Sequence, residues 1–278
     1  MSSARWAPVF VFALAAHAAG CDDTPRPVTL RFTAEIGGAP LACGRTYAGV
    51  GTTAATVEPT DARMYVHAPQ LITAAGGLVP LALDDDRSQD AEVGLLDFRA
   101  DGGRCTTDDV VPHAALTGRA PADDYRGVRF EVGLPRALDD RAVHGGAAPF
   151  DRAGLWRGDL PRYYFARFTV ATSASASYGL WLGASGCDRA PGGGATCAVD
   201  NVTTVVLFGD VDRDAVVLDL ARLWADVDLT RDPDPADPSA GCQVAAGDPE
   251  CPPVLARLGL APSGRPTGAQ DAFTMEPR

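Results

Sequence analysis

The sequence predicts a mostly β protein, organised as a single β-sandwich-like domain with long loops, disulfides and a short C-terminal helix. Three observations point there. Residues 28–36, VTLRFTAEI, alternate apolar and polar side chains with the period of two that sets one face of a strand on a core. Thirty glycines and 22 prolines, in a chain only 7% aromatic, suit short strands joined by turns better than long helices. Six cysteines follow an N-terminal leader, which implies an oxidising compartment and covalent staples between loops. At 278 residues, 46% of them hydrophobic, the chain is long enough to bury a sizeable core.

Residues 1–20 read as a lipoprotein signal peptide. Arg5 precedes an apolar run, 6–16, too short to span ~30 Å of hydrocarbon as a helix. The run ends in Ala18-Ala19-Gly20-Cys21, which resembles a bacterial lipobox in which Cys21 bears the lipid. Ala18 stands where leucine is commoner and His17 is unusually polar there; ordinary cleavage within 16–20 is the competing reading. Cysteine arithmetic favours lipidation, because removing Cys21 from an odd count of seven leaves Cys43, Cys105, Cys187, Cys197, Cys242 and Cys251. Many pairings of six are open. Close spacing favours the local bridges Cys187 to Cys197 and Cys242 to Cys251, which would leave Cys43 with Cys105. No CxxC spacing occurs, so zinc ribbons and thioredoxin-like sites are disfavoured.

Residues 21–27 read as a linker and 28–278 as the domain. Alternation recurs at 64–68 and 128–132, while 78–83, 93–98, 164–170, 178–182 and 202–208 are shorter or more apolar strand candidates. Gly37-Gly38, Gly76-Gly77 and Gly102-Gly103 supply turns between them. Residues 218–224 begin as a strand and finish as a helix, since Leu220, Leu223 and Trp224 share one helical face. A second helix is predicted over 249–258, capped by Asp248, with Pro249 at its first position and Gly259 ending it. The acidic, proline-rich stretch 228–241 reads as a solvated loop.

The net charge of -12 repels phosphate backbones and argues against nucleic acid as a partner. All 24 basic residues are arginine, which excludes Schiff-base and P-loop lysine chemistry. Asp210, Asp212 and Asp214 imitate the start of an EF-hand loop, but Ala215 and Ala221 stand where its glycine and glutamate belong, so a hairpin turn is expected. Asp84-Asp85-Asp86 reads as a solvated loop. No G-x-S-x-G elbow occurs, and nothing places two carboxylates across a cleft, so no enzyme is expected. The candidate metal donors are His67, His113 and His144, in separate segments. Each alone reads as a surface histidine, and convergence of two with a soft or nitrogen donor would suit copper. His67 is expected to face away from the core if Met64, Val66 and Ala68 face inward. Trp156, Trp181 and Trp224 are by default core or rim residues.

The order of several fragments carries more. They include Phe32-Thr33-Ala34, Cys43-Gly44 with Tyr47, Arg63-Met64-Tyr65-Val66 and Leu95-Leu96-Asp97-Phe98 before Cys105. Then follow Tyr125-Arg126-Gly127-Val128-Arg129-Phe130, Gly133-Leu134-Pro135, Leu182-Gly183-Ala184-Ser185-Gly186-Cys187, Gly241-Cys242, Asp248-Pro249-Glu250-Cys251 and Leu258-Gly259-Leu260. In this order the chain resembles the MbnP-like family, the four-Cys motif proteins of the metallo-mystery pair system. The resemblance implies an exported copper-binding protein, with no haem of its own, encoded beside a di-haem cytochrome c peroxidase-like partner. In that family the partner oxidises a tryptophan to kynurenine, so the four-Cys protein is a substrate and metal carrier. Trp156, ahead of Tyr163-Tyr164-Phe165, falls in the segment that looks like the family's tryptophan-rich stretch and is the oxidisable candidate. Three departures stand out. Asp139-Asp140 occupy the place of a usual Asn-His, with His144 displaced; Trp181 stands where a histidine commonly precedes Leu-Gly-Ser; and Trp156 has no second tryptophan nearby. Each removes a nitrogen donor or an oxidisable ring, which weakens the case for copper while leaving the fold intact. The expected place is the cell envelope, lipid-anchored to a membrane and facing the periplasm or cell surface. The alternative is a metal-free envelope lipoprotein serving as a protein-interaction module.

Overall fold

The computed structural model describes residues 24–100, 102–105, 110–141, 147–157, 160, 162–175, 177–189, 194–231, 240–243 and 248–278. The leader, Cys21 and His144 lie outside them. In chain order the strands are β1 (Arg26–Ile36), β2 (Ala39–Pro40), β3 (Tyr47–Val50), β4 (Ala55–Thr73), β5 (Leu78–Pro80), β6 (Ala82–Leu83), β7 (Val93–Asp97), β8 (Ala115–Ala120) and β9 (Tyr125–Val132). They continue with β10 (Trp156–Arg157), β11 (Arg162–Ala171), β12 (Tyr178–Gly183), β13 (Ser185–Arg189), β14 (Ala195–Val199), β15 (Thr203–Phe208), β16 (Asp214–Asp219), β17 (Ala240–Cys242) and β18 (Phe273–Pro277). The helices are α1 (Arg136–Arg141), α2 (Leu220–Leu223) and α3 (Cys251–Arg257), with a 3-10 turn at Gly103–Cys105.

Two sheets form the layers of a sandwich. The smaller runs β18-β16-β1-β8-β6, with β2 on the end of β1; β1 pairs parallel with β16 and antiparallel with β8. The larger runs β15-β9-β4-β11-β12-β17, with β3, β5 and β7 also on β4 and β10 on β11. Between the layers Val28, Leu30 and Phe32 of β1 meet Met64, Val66 and Phe130, with Phe32 and Phe273 each edge-on to Phe130. The alternation in 28–36 is therefore one strand face on this core, and the ladder extends back to Arg26, which pairs with Ala120.

The long central strand β4 reads differently. Met64, Tyr65 and Val66 are all fully buried, because the outer face of the larger sheet carries a second cluster of Tyr65, Leu95, Leu134, Leu155, Tyr163 and Phe165. Residues 78–83 divide between layers, β5 joining β4 and β6 joining β8. The 210–213 turn is not a hairpin as expected, since β15 pairs with β9 while β16 pairs with β1; it carries the chain from one layer to the other.

Asp219 ends β16 and caps α2, its carboxylate accepting the Ala221 N–H at 2.9 Å, so the strand-to-helix reading of 218–224 holds. The next helix starts later than expected, at Cys251. Asp248 instead accepts the N–H groups of Glu250 and Gln243, a turn that precedes the helix. Gly259 ends it at φ +73°, with Gly259 N–H to Ala256 O and Leu260 N–H to Leu255 O closing the left-handed cap. The disulfides are Cys43–Cys105, Cys187–Cys197 and Cys242–Cys251, the pairings that spacing favoured. The second joins directly opposed residues of β13 and β14, and the third ties β17 to the start of α3.

Candidate functional site

Residues 147–157 cross the outer face of the larger sheet as a strap, and the sheet grips the strap by its backbone. The Tyr65 hydroxyl donates to the Pro149 carbonyl at 3.1 Å and the Tyr163 hydroxyl to the Phe150 carbonyl at 2.7 Å. The Arg63 guanidinium donates to the Ala153 carbonyl at 2.8 Å and that of Arg167 to the Gly154 carbonyl at 3.1 Å. These donors stand on β4 and β11, on the face that alternation turns away from the main core.

The arginines are themselves held by buried carboxylates. Arg63 makes a two-point contact with Asp61 at 2.7 and 2.6 Å, and Arg99 one with Asp97 at 2.9 and 2.7 Å. Arg167 approaches the same Asp61 at 3.3 Å. Sequence reasoning missed this network, although a signal existed. Asp61-Ala62-Arg63 and Asp97-Phe98-Arg99 repeat an Asp-x-Arg spacing that puts both charges on one face of an extended chain.

Trp156 ends the strap, partly exposed, and pairs with Tyr163 in the β10–β11 ladder. Its ring lies edge-on to Tyr163 with centroids 5.0 Å apart; Tyr163 in turn meets Phe150 at 5.6 Å and Tyr65 at 6.1 Å. Burial first, then the charges of Asp139 and Asp151, push the Tyr163 hydroxyl up to about 12. Burial does the same to Tyr65, with the neighbouring Tyr163 adding to it. Both phenols donate to carbonyls, which cannot take their protons.

His67 and His113, the two histidines among the described residues, stand apart. On the larger sheet His67 stands opposite Val93, while His113 bridges to Asp97, four positions along the same strand, a separation of about 13 Å. His67 is partly buried and contacts Glu131 at 3.4 Å, and that contact is the main reason the Glu131 carboxyl is held below its usual range. His113 is held below the ordinary imidazole value by burial, against the pull of Asp86 and Asp97. Trp181, at the position of an expected histidine, is buried on β12 opposite Arg167. Asp139, at the other such position, accepts the Tyr163 N–H at 3.0 Å and faces Arg162 at 3.6 Å. Among the described residues the one close group of three metal-type side chains is Cys242, Asp248 and Cys251, whose sulfurs are bonded to each other. These residues do not fit a copper site. Asp226 and Asp271, which share a surface depression, both bind Arg257.

The MbnP family profile matches residues 25–243 of this chain. The chain is also similar to a solved structure, MbnP from Methylosinus trichosporium, with 28% identity and a TM-score of 0.78 over 91% of this chain and 99% of that one. No curated protein matches it by sequence.

Proposed function

The chain belongs to the MbnP family, and on that footing we propose that it acts in envelope copper handling beside a di-haem cytochrome c peroxidase-like partner that oxidises Trp156. The observation that carries the reading is the presentation of that indole: partly exposed, edge-on to Tyr163 and fixed at the end of a strap held by four hydrogen bonds. In the reaction the indole C2–C3 bond breaks and each carbon gains one oxygen, giving N-formylkynurenine. Two hydrogen peroxide molecules would accept the four electrons and four protons through the partner and become four waters, two waters would supply the oxygens added to the indole, and hydrolysis would then release formate and kynurenine. The chain is the substrate and supplies no catalytic group. Tyr163 protects the outcome, since a phenol whose proton has no base to receive it is a poor acceptor for the oxidising equivalent on Trp156.

In this reading Cys21 carries the lipid that holds the protein at an envelope membrane, and copper is the cargo of the pair. The separation of His67 from His113 favours a second reading, a metal-free envelope lipoprotein that uses the same scaffold to recognise a protein. Co-expression with the neighbouring haem protein, followed by mass spectrometry of the peptide holding Trp156 and copper titration of the metal-free protein, separates the two. Oxygen gain or formate loss at Trp156 supports the first. An unchanged indole and no bound copper, with a partner captured equally in chelator, supports the second.

A further inference from the structure

Among the described residues the large apolar side chains that stand exposed are Phe208 (72%), Leu78 (51%) and Val206 (45%), all at one end of the larger sheet. Phe208 is opposite Gly127, Gly127 opposite Ile72, and Ile72 opposite Leu78, so one row of the larger sheet carries both Phe208 and Leu78. The next row runs Val206, Arg129, Gln70, Pro80. Val205 and Leu207 point into the core, which turns Val206 and Phe208 to the outer face. Singly exposed apolar residues need no explanation, but these flank Ile72 on one face, Phe208 and Leu78 about 14 Å apart across it, which points to a contact at this end of the sheet.

The chain's first strand starts at the same end. The Arg26 guanidinium lies over the Tyr125 ring at 5.2 Å, and Gly127 is two residues further along β9, about 7 Å. Cys21 precedes Arg26 by five residues, a span of at most ~18 Å. We propose that this corner of the sheet, with Phe208, Leu78 and Val206, rests on the lipid surface to which Cys21 is attached, so that the anchor sets an orientation as well as a location. The inference rests on the lipidation of Cys21 in the function proposed above. The contact is chiefly apolar: Arg26, Arg126 and Arg213 at this end are paired with Asp212, Asp124 and Asp210, and Arg119, opposite Pro27, donates to the Pro25 carbonyl. Trp156 packs on Tyr163, which in turn meets Tyr65, and Tyr65 is seven residues from Ile72 along β4, at most about 23 Å, so the indole sits toward the other end of the strand from the patch.

The test places an indole in the patch. Phe208→Trp and, separately, Leu78→Trp are purified with their lipid and reconstituted into phosphatidylcholine vesicles with plain or brominated acyl chains; wild-type emission is subtracted. The expected result is a blue shift and severalfold quenching of the new indole by bromine, unchanged by salt and absent in a Cys21→Ala background. Mass spectrometry of the N-terminal peptide is run on the same samples. An acylated Cys21 with unquenched indoles overturns the orientation and leaves the anchor standing; an unacylated Cys21 removes both. A blue shift already complete without vesicles, with sedimentation as a dimer, assigns the patch to a second copy and also overturns the proposal.

Discussion

Asp61→Asn probes the network that holds the strap. Asp61 accepts two hydrogen bonds from Arg63 and lies 3.3 Å from Arg167, and both Asp61 and Arg63 are buried. Three guanidinium groups, those of Arg63, Arg99 and Arg167, gather at the carboxylates of Asp61 and Asp97, and the substitution neutralises the one that touches all three. Removing one partner of a buried ion pair costs about 3–5 kcal/mol, a large part of the ~5–15 kcal/mol by which domains are stable. At roughly 2–4 °C per kcal/mol for a chain of this size, the melting temperature falls by about 10 °C. Urea unfolding followed by circular dichroism gives the free energy, and acrylamide quenching reports whether Trp156 becomes more accessible in the folded state. Asp226→Asn is the control, because Asp226 is 59% exposed in its pair with Arg257, and exposed pairs are worth at most about 1 kcal/mol. A loss at Asp61 no greater than at Asp226, with Trp156 quenching unchanged, would refute the claim that the buried carboxylate holds the strap.

Folding stability falls between about pH 10 and pH 12, because Tyr163 keeps its proton to about 12 in the folded protein and to ~10 when unfolded. Its contribution is complete below pH ~10 and lost as pH rises through 12; Tyr163→Phe reduces that slope in urea titrations at stepped pH, leaving the share of Tyr65. Replacing Cys43 and Cys105 by serine opens a loop of 62 residues and lowers stability by about 4 kcal/mol in the chain-entropy model, whereas the Cys187–Cys197 pair, 10 apart, contributes about 3 kcal/mol. Calorimetry of the two serine pairs ranks them. Gly154→Ala forces a side chain into the left-handed region at φ +75°, 2.8 Å from a guanidinium nitrogen of Arg167, and costs about 1–2 kcal/mol with a shift in Trp156 emission.

The legible parts of the fold are those whose physics is local. Residues 28–36 announce β1 because one side of that strand is dry and the other is wet. The length of β4 was hidden, since a strand dry on both sides loses its alternation, and the reason, a second apolar cluster at Leu134, Leu155 and Tyr163, lies far along the chain. Strand β18 was missed because only Phe273 of its residues is buried. Cysteine spacing reached the disulfides, two of which close short loops. At the site, Trp156 was found through its neighbours in sequence, but its fixation was not. Hydrogen bonds to carbonyls of the strap leave no mark on the strap's own composition, because the accepting group is the same for every residue type. The histidines were visible as residues, and only strand register shows that His67 and His113 sit at different stations of β7.

Recognition of the strap through its main chain has a consequence for variation. Carbonyl oxygens are common to all amino acids, so Asp151 and Ala153 can be exchanged among relatives, or by an engineer, while the four anchoring bonds persist. Gly154 and Leu155 are not free in this way, one for its backbone and one for its place in the apolar cluster. The segment is thus a cassette with a fixed frame and a changeable outer surface, on which partner preference next to the indole can drift without disturbing the depth at which the ring is set.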